Sequence, residues 1–208
     1  MTSYATVARA ATGEVEDRGS RFLGTVRRVA DEDEARALVA ALRRAHPDAR
    51  HHCSAFVIGP RGEVQRSSDD GEPAGTAGAP MLDVLRGAGV SDVAAVVTRW
   101  FGGTLLGAGG LVRAYGDAVR AALAEAGTLR RSLLTELALE LDHADAGRVE
   151  GELRSRGVSV LEVSYDARVR LLLAAPASEV DRVGEIVAAA TGGLAGPAPV
   201  GERWVDLR

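Results

Sequence analysis

The chain has 208 residues, 29 acids and 25 basic side chains, every one of them arginine, for a formal charge of −4. Without lysine there is no Schiff-base nucleophile and no Gly-Lys-Ser/Thr phosphate loop. A single cysteine excludes an internal disulfide and a four-thiolate zinc site. Arginine can still bind anions, because its planar fork matches phosphate.

The length allows one large or two small domains at about 100–150 residues each. Residues 1–20 contain no continuous apolar run and reach an acid at Glu14, so no signal peptide is expected. No stretch approaches the ~18 apolar residues of a membrane span. A cytoplasmic location without membrane association is the expectation.

In chain order, residues 4–15 and 20–29 read as two strands around a turn at Arg18-Gly19. Asp31 with Glu34 is a capping box opening a helix, whose inward face is Ala35, Leu38, Leu42 and Ala45; Pro47 stops it. Residues 53–58 form a strand, and 63–79 read as a polar loop. A short helix follows, opened by Pro80 and closed by Gly87 and Gly89, with Met81, Leu82, Leu85 and Ala88 as its apolar residues. Residues 93–98 are a buried strand. A helix from about Gly109 to Glu125 turns Leu111, Tyr115, Ala118, Ala122 and Leu123 inward, and Gly127 ends it.

After a connector at 127–132 come a strand (133–141), a helix (144–156), two strands (158–165 and 168–175), a helix capped by Ser178 and a strand (199–207). That order is βαββαβ, the ferredoxin-like pattern. The expected class is α+β, with domains at 1–130 and 131–208. Residues 1–130 are neutral, so the second domain carries the whole −4.

Two segments carry candidate chemistry. The first brings Asp69, Asp70 and Glu72 within four residues. Paired acids can hold Mg²⁺ or divide into acid and base. They also suit a polar turn at Asp70-Gly71 with Thr76 capping the next helix. Because such acids repel one another, the cluster needs a metal or an arginine. The second segment runs from Arg99 through Gly102, Gly103, Gly107, Gly109 and Gly110 to Arg113. Free N–H groups at a helix start bind anions. The same glycines also serve tight turns and close helix–sheet packing. Trp100 and Phe101 can stack on a base or join the core. His51 and Cys53 share a strand face, with His52 opposite, and two such ligands do not close a zinc site; no metal site or cofactor is assigned.

The motifs HHCSAF (51–56), SSDDGEPAGTAGAPML (67–82) and VVTRWFGGTLLGAGGLVRAYGDA (96–118) resemble, in order and spacing, those of the IMPACT/YigZ family. The resemblance spans about residues 18–125, and the carboxy-terminal region is similar to the small domain that bacterial members append. It implies an amino-terminal fold like elongation factor G domain IV and ribosomal small-subunit protein domains. It also implies regulators of translation acting through a protein partner among eukaryotic relatives, and RNA or ribosome binding among bacterial ones. Some relatives carry lysine at the positions of Ala79 and Leu105, so those charges are lost here. Phe56, often tyrosine in the family, stays aromatic.

The favoured expectation is a non-enzymatic RNA- or ribosome-associated protein modulating translation. Arg21, Arg66, Arg99, Trp100, Phe101 and Arg113 are its nucleic-acid candidates. The alternatives are an enzyme for a small anionic ligand or with a metal, using the acid cluster and glycine loop, and a module that binds a translation-related protein.

Overall fold

A computed structural model describes residues 2–207, which divide into two compact units at 3–131 and 132–207. The first contains β1 (Ser3–Val7), β2 (Ala11–Asp17), β3 (Ser20–Arg28), α1 (Glu32–Ala45), β4 (His51–Ile58), β5 (Val64–Ser68), α2 (Gly78–Gly87), β6 (Val93–Trp100) and α3 (Gly107–Ala126). An antiparallel sheet runs β2-β3-β6-β4-β5.

The central strand β6 is apolar from Val93 to Val97 because both its faces are covered. Val93, Ala95 and Val97 pack with Met81 and Leu85 of α2 and with Leu111, Tyr115 and Ala118 of α3. Ala94 and Val96 pack on the opposite face with Ala35 and Leu38 of α1. At the α1 start Asp31 is the predicted cap, accepting from the Glu34 N–H at 2.9 Å, but the return bond of Glu34 goes to the Ala30 N–H, one residue before the cap, at 2.9 Å.

The close fit of α3 on the sheet depends on a pair of glycines. Gly13 and Gly24 are direct partners across β2 and β3. A Cβ on Gly13 would lie 2.4 Å from the Ala122 nitrogen, and one on Gly24 would lie 2.3 Å from the Ala118 oxygen. Alanine on the helix facing glycine on the sheet lets the two backbones approach.

Several expectations are corrected. The first strand is broken at 8–10, where the Ala8 N–H bonds to the Gly127 carbonyl at 3.0 Å. The polar loop begins as a strand, β5, pairing antiparallel with β4. The expected connector is already strand: β7 spans Thr128–Leu141. Ser178 does not cap a helix; it lies in a 3-10 turn at Ala177–Glu179.

The second unit continues with α4 (His143–Ser155), β8 (Ser159–Tyr165), β9 (Val169–Ala175), α5 (Val180–Thr191) and β10 (Ala198–Leu207). Its sheet joins β7 to β9 and β9 to β8, with β10 also on β7. Alternating Val169, Leu171, Leu173 and Ala175 of β9 meet Val149 and Leu153 of α4 and Val183 and Val187 of α5 in one core. This is the expected βαββαβ arrangement. Among the described residues no helix is long and apolar enough to cross a membrane.

Candidate functional site

The β3-β6-β4 register sets Phe22, Arg99 and His51 in one row across the sheet. Arg99 is 5% exposed, and its guanidinium carbon lies 5.2 Å from the Phe22 ring centroid. A buried guanidinium needs a counter-charge, and the acid cluster supplies it.

The cluster sits on a tight turn. Asp70 and Gly71 both have positive φ, at 43° and 86°, as a type I′ turn requires, and the Glu72 N–H closes it on the Asp69 carbonyl at 2.9 Å. The three acids then point to different partners. Asp69 accepts from the N–H groups of Gly75 (2.8 Å), Ala77 (3.1 Å) and Gly78 (2.7 Å), so it caps α2. Thr76, the expected cap, instead donates to the Pro73 carbonyl at 2.7 Å. Asp70 pairs with Arg43 and accepts from the His52 N–H at 2.6 Å. Glu72, with its side chain 4% exposed, pairs with Arg99 through Oε1, which also accepts from the Tyr115 hydroxyl at 2.7 Å. The repulsion within the cluster is thus relieved by arginines and backbone donors. Among the described residues no group of three or more His, Cys, Asp or Glu side chains is arranged to hold a metal ion.

Burial opposes ionisation of Asp69, but the N–H groups of Gly75, Gly78 and Ala77 outweigh it, and its carboxyl sits below the ordinary carboxylate range. A depressed folded-state pKa contributes stability above the unfolded value, about 3.9, that is lost as pH falls through the folded one. The stability gap between the wild type and Asp69→Asn is therefore expected to narrow as pH drops from 5 to 2. Urea midpoints measured across that range check it; a constant gap would refute the assignment.

The neighbouring thiol is inert. Cys53 is buried and donates to the Asp69 carbonyl at 3.0 Å. Burial, with the nearby carboxylates adding to it, outweighs the Tyr115 hydrogen bond and pushes the thiol up to about 12, far from a reactive thiolate. His51 lies beside Cys53 on the same strand face. Its Nδ1 lies 2.8 Å from the Asp70 carbonyl, which fixes Nδ1 as the protonated nitrogen. Its Nε2 lies 3.9 Å from Glu72 Oε1.

One acid of the cluster, Glu72, and one glycine of the loop, Gly107, meet in a cleft of about 470 Å³, which Asp69, Asp70, Gly102, Gly103, Gly109 and Gly110 do not line. It is lined by Arg50, His51, Glu72, Arg99 and Phe101 on one side and by Gly107, Ala108 and Leu111 at the start of α3 on the other. No side chain caps α3, and its first turn has no acid, so the N–H groups there are free to face an anion.

The loop glycines divide by role. Gly107, at φ +71°, turns the chain into the helix beside the cleft. Gly102 packs against the Gly19 backbone, and Gly110 packs against Leu106. Gly103 has φ +87°, and a Cβ on either Gly103 or Gly109 would meet nothing within 4 Å.

The remaining candidates are spread over the surface. Phe101 is 41% exposed at the cleft, its ring 6.0 Å from the Arg50 guanidinium carbon and 5.8 Å from that of Arg99. Trp100 lies under Arg21, 4.6 Å from its guanidinium carbon, and donates to Asp48 at 2.8 Å. Arg21 also pairs with Glu14. Neither aromatic belongs to the core clusters. Arg66 lies on the exposed end of β5. Arg113 faces a separate groove between α2 and α3, with Pro80, Val84 and Leu123. Arg50 and Tyr115 were not among the candidate site residues, and His51 was weighed as a metal ligand; Arg50 left no signal in the sequence, since its place follows from the bond of its N–H to the Arg99 carbonyl at 3.0 Å.

The Impact N-terminal domain matches residues 18–123, and a domain of unknown function (DUF1949) matches residues 139–194. The IMPACT family member YvyE of Bacillus subtilis is 42% identical over 169 residues, 81% of this chain and 78% of that protein. The IMPACT family member YigZ of Escherichia coli is 42% identical over 182 residues, 86% of this chain and 89% of that protein. A crystal structure described as that of a hypothetical protein aligns with a TM-score of 0.66 at 39% identity, covering 96% of this chain and 98% of that one.

Proposed function

The chain belongs to the IMPACT family, and from that premise we propose that it is a non-enzymatic, RNA- or ribosome-associated protein acting in translation. The observation that carries the proposal is the grouping of arginine with exposed aromatic surface at one end of the central sheet. Arg50 makes no ion pair among the described residues and flanks the exposed Phe101. Arg21 covers Trp100 one residue away along β6. Arg18, exposed at the β2-β3 turn, also makes no ion pair. Cations interleaved with aromatic rings are what single-stranded RNA uses, through phosphate pairing and base stacking.

The net charge of −4 does not oppose this, since phosphate contacts depend on local placement. It does limit their number. Three arginine contacts predict a log-log salt slope of about −2 for a single strand. Gel-shift titration at several salt concentrations checks that value, together with cosedimentation on ribosomes from the native host. A protein that neither shifts RNA nor sediments with ribosomes at low salt would refute the proposal.

The convergence of Glu72 and Gly107 on one cleft also favours a small anionic ligand as a second reading. A thermal-shift screen of nucleotides and organic acids tests it, with a null result for every compound counting against it.

A further inference from the structure

The buried Arg99–Glu72 pair is only half used by the protein. Glu72 receives both its close donors, Arg99 and Tyr115, on Oε1. Neither Glu72 Oε2 nor Arg99 Nη2 makes a hydrogen bond among the described residues. Both side chains line the cleft while only 4% and 6% exposed. Neither atom is among the sealed, partnerless polar atoms, in contrast to Arg99 Nε. Both atoms therefore keep some solvent contact on residues that line the cleft, leaving one donor and one acceptor without a protein partner among the described residues.

We propose that this cleft holds a single unstacked nucleotide of an RNA strand, its base edge read by Arg99 and Glu72. The inference rests on the RNA-binding function above and gives it a site. A donor beside an acceptor complements an edge that presents an acceptor beside a donor. Every RNA base presents such a pair of groups on its Watson–Crick edge, and pairing consumes that edge. The site thus selects for single-strandedness and not for sequence.

The other walls fit the rest of a nucleotide. Phe101 gives the base a ring to stack on at the mouth. Arg50 stands beside that ring without an ion pair, and the uncapped start of α3 at Gly107 and Ala108 faces the same space. Both attract phosphate. A cleft of about 470 Å³ lies in the range of small-ligand sites.

The test is fluorescence anisotropy at low salt with a short labelled oligouridylate, the same strand with abasic residues, and its duplex with oligoadenylate. Wild type is compared with Phe101→Ala and Arg50→Ala, both exposed enough to leave the fold intact, which a thermal melt verifies. Tight binding of the plain strand is expected, with about tenfold loss for Phe101→Ala, a similar loss for the abasic strand, and weaker binding of the duplex. Equal affinity of both variants and of the abasic strand would overturn the nucleotide site while leaving RNA binding in place. Failure of every RNA to bind would overturn both.

Discussion

Replacing Glu72 with alanine is expected to destabilise the protein by about 3–5 kcal/mol, the cost of breaking a buried ion pair from one side. Arg99 would keep its charge with its side chain 6% exposed and no carboxylate to meet it. The Tyr115 hydroxyl, 2.7 Å from Glu72 in the core below, would lose its acceptor, a further source of cost. The rings of Phe22 and Phe101, at 5.2 and 5.8 Å from the guanidinium carbon, face the charge with or without Glu72 and so do not replace the carboxylate. Asp70→Ala is the contrast. Its partner Arg43 is 52% exposed and can return to water, so the ion-pair share of that loss is about 1 kcal/mol or less. Urea denaturation at pH 7 measures both. A Glu72→Ala cost below about 1 kcal/mol would show that the pair contributes little to folding.

That pair also marks where the sequence stops being informative. Arg99 and Glu72 are each conspicuous in their own motif, but they lie 27 residues apart, and nothing local says they meet. The turn at Asp70-Gly71 is legible locally, but the contact also needs the β4–β6 register, which is a product of tertiary packing. Local signals did well where one short segment decides the outcome. Asp31 and Glu34 define a helix start by themselves, and the apolar run at 93–98 needs no partner to be read as buried.

Local signals failed where a distant group won. Thr76 looked like a helix cap, but Asp69, seven residues earlier, had already taken the α2 N–H groups. Residues 64–68 looked like loop because an edge strand buries few side chains and so shows little hydrophobic pattern. Arg113 was grouped with the glycine loop by adjacency. Two residues beyond Leu111 is about 200° around a helix, which turns Arg113 away from the cleft that Leu111 lines.

Gly24→Ala should be the most disruptive glycine substitution in the α3 contact, costing about 3 kcal/mol or more, at or beyond the upper end of ordinary overpacking. Its new methyl would stand 2.3 Å from the Ala118 carbonyl oxygen, and the obstacle is helix backbone, which cannot rotate aside as a side-chain tip does. Across the hairpin, Gly13 faces Ala121 and Ala122 in the same way, so α3 lies in a two-glycine notch and relief at one position meets a clash at the other. The helix must therefore lift from β2 and β3, carrying Gly107 and Ala108 away from Glu72 and Arg99 on the sheet side of the cleft. Gly109→Ala provides the internal comparison: nothing lies within 4 Å of its new methyl, and alanine in place of helical glycine should stabilise by about 0.5–1 kcal/mol. Thermal or urea melts of the two variants separate a glycine needed for approach from one that is not. A Gly24→Ala protein within about 1 kcal/mol of wild type would mean that α3 can shift along the notch without loss. Because the notch and the cleft are two faces of one helix placement, RNA affinity should fall with stability in Gly24→Ala and stay unchanged in Gly109→Ala.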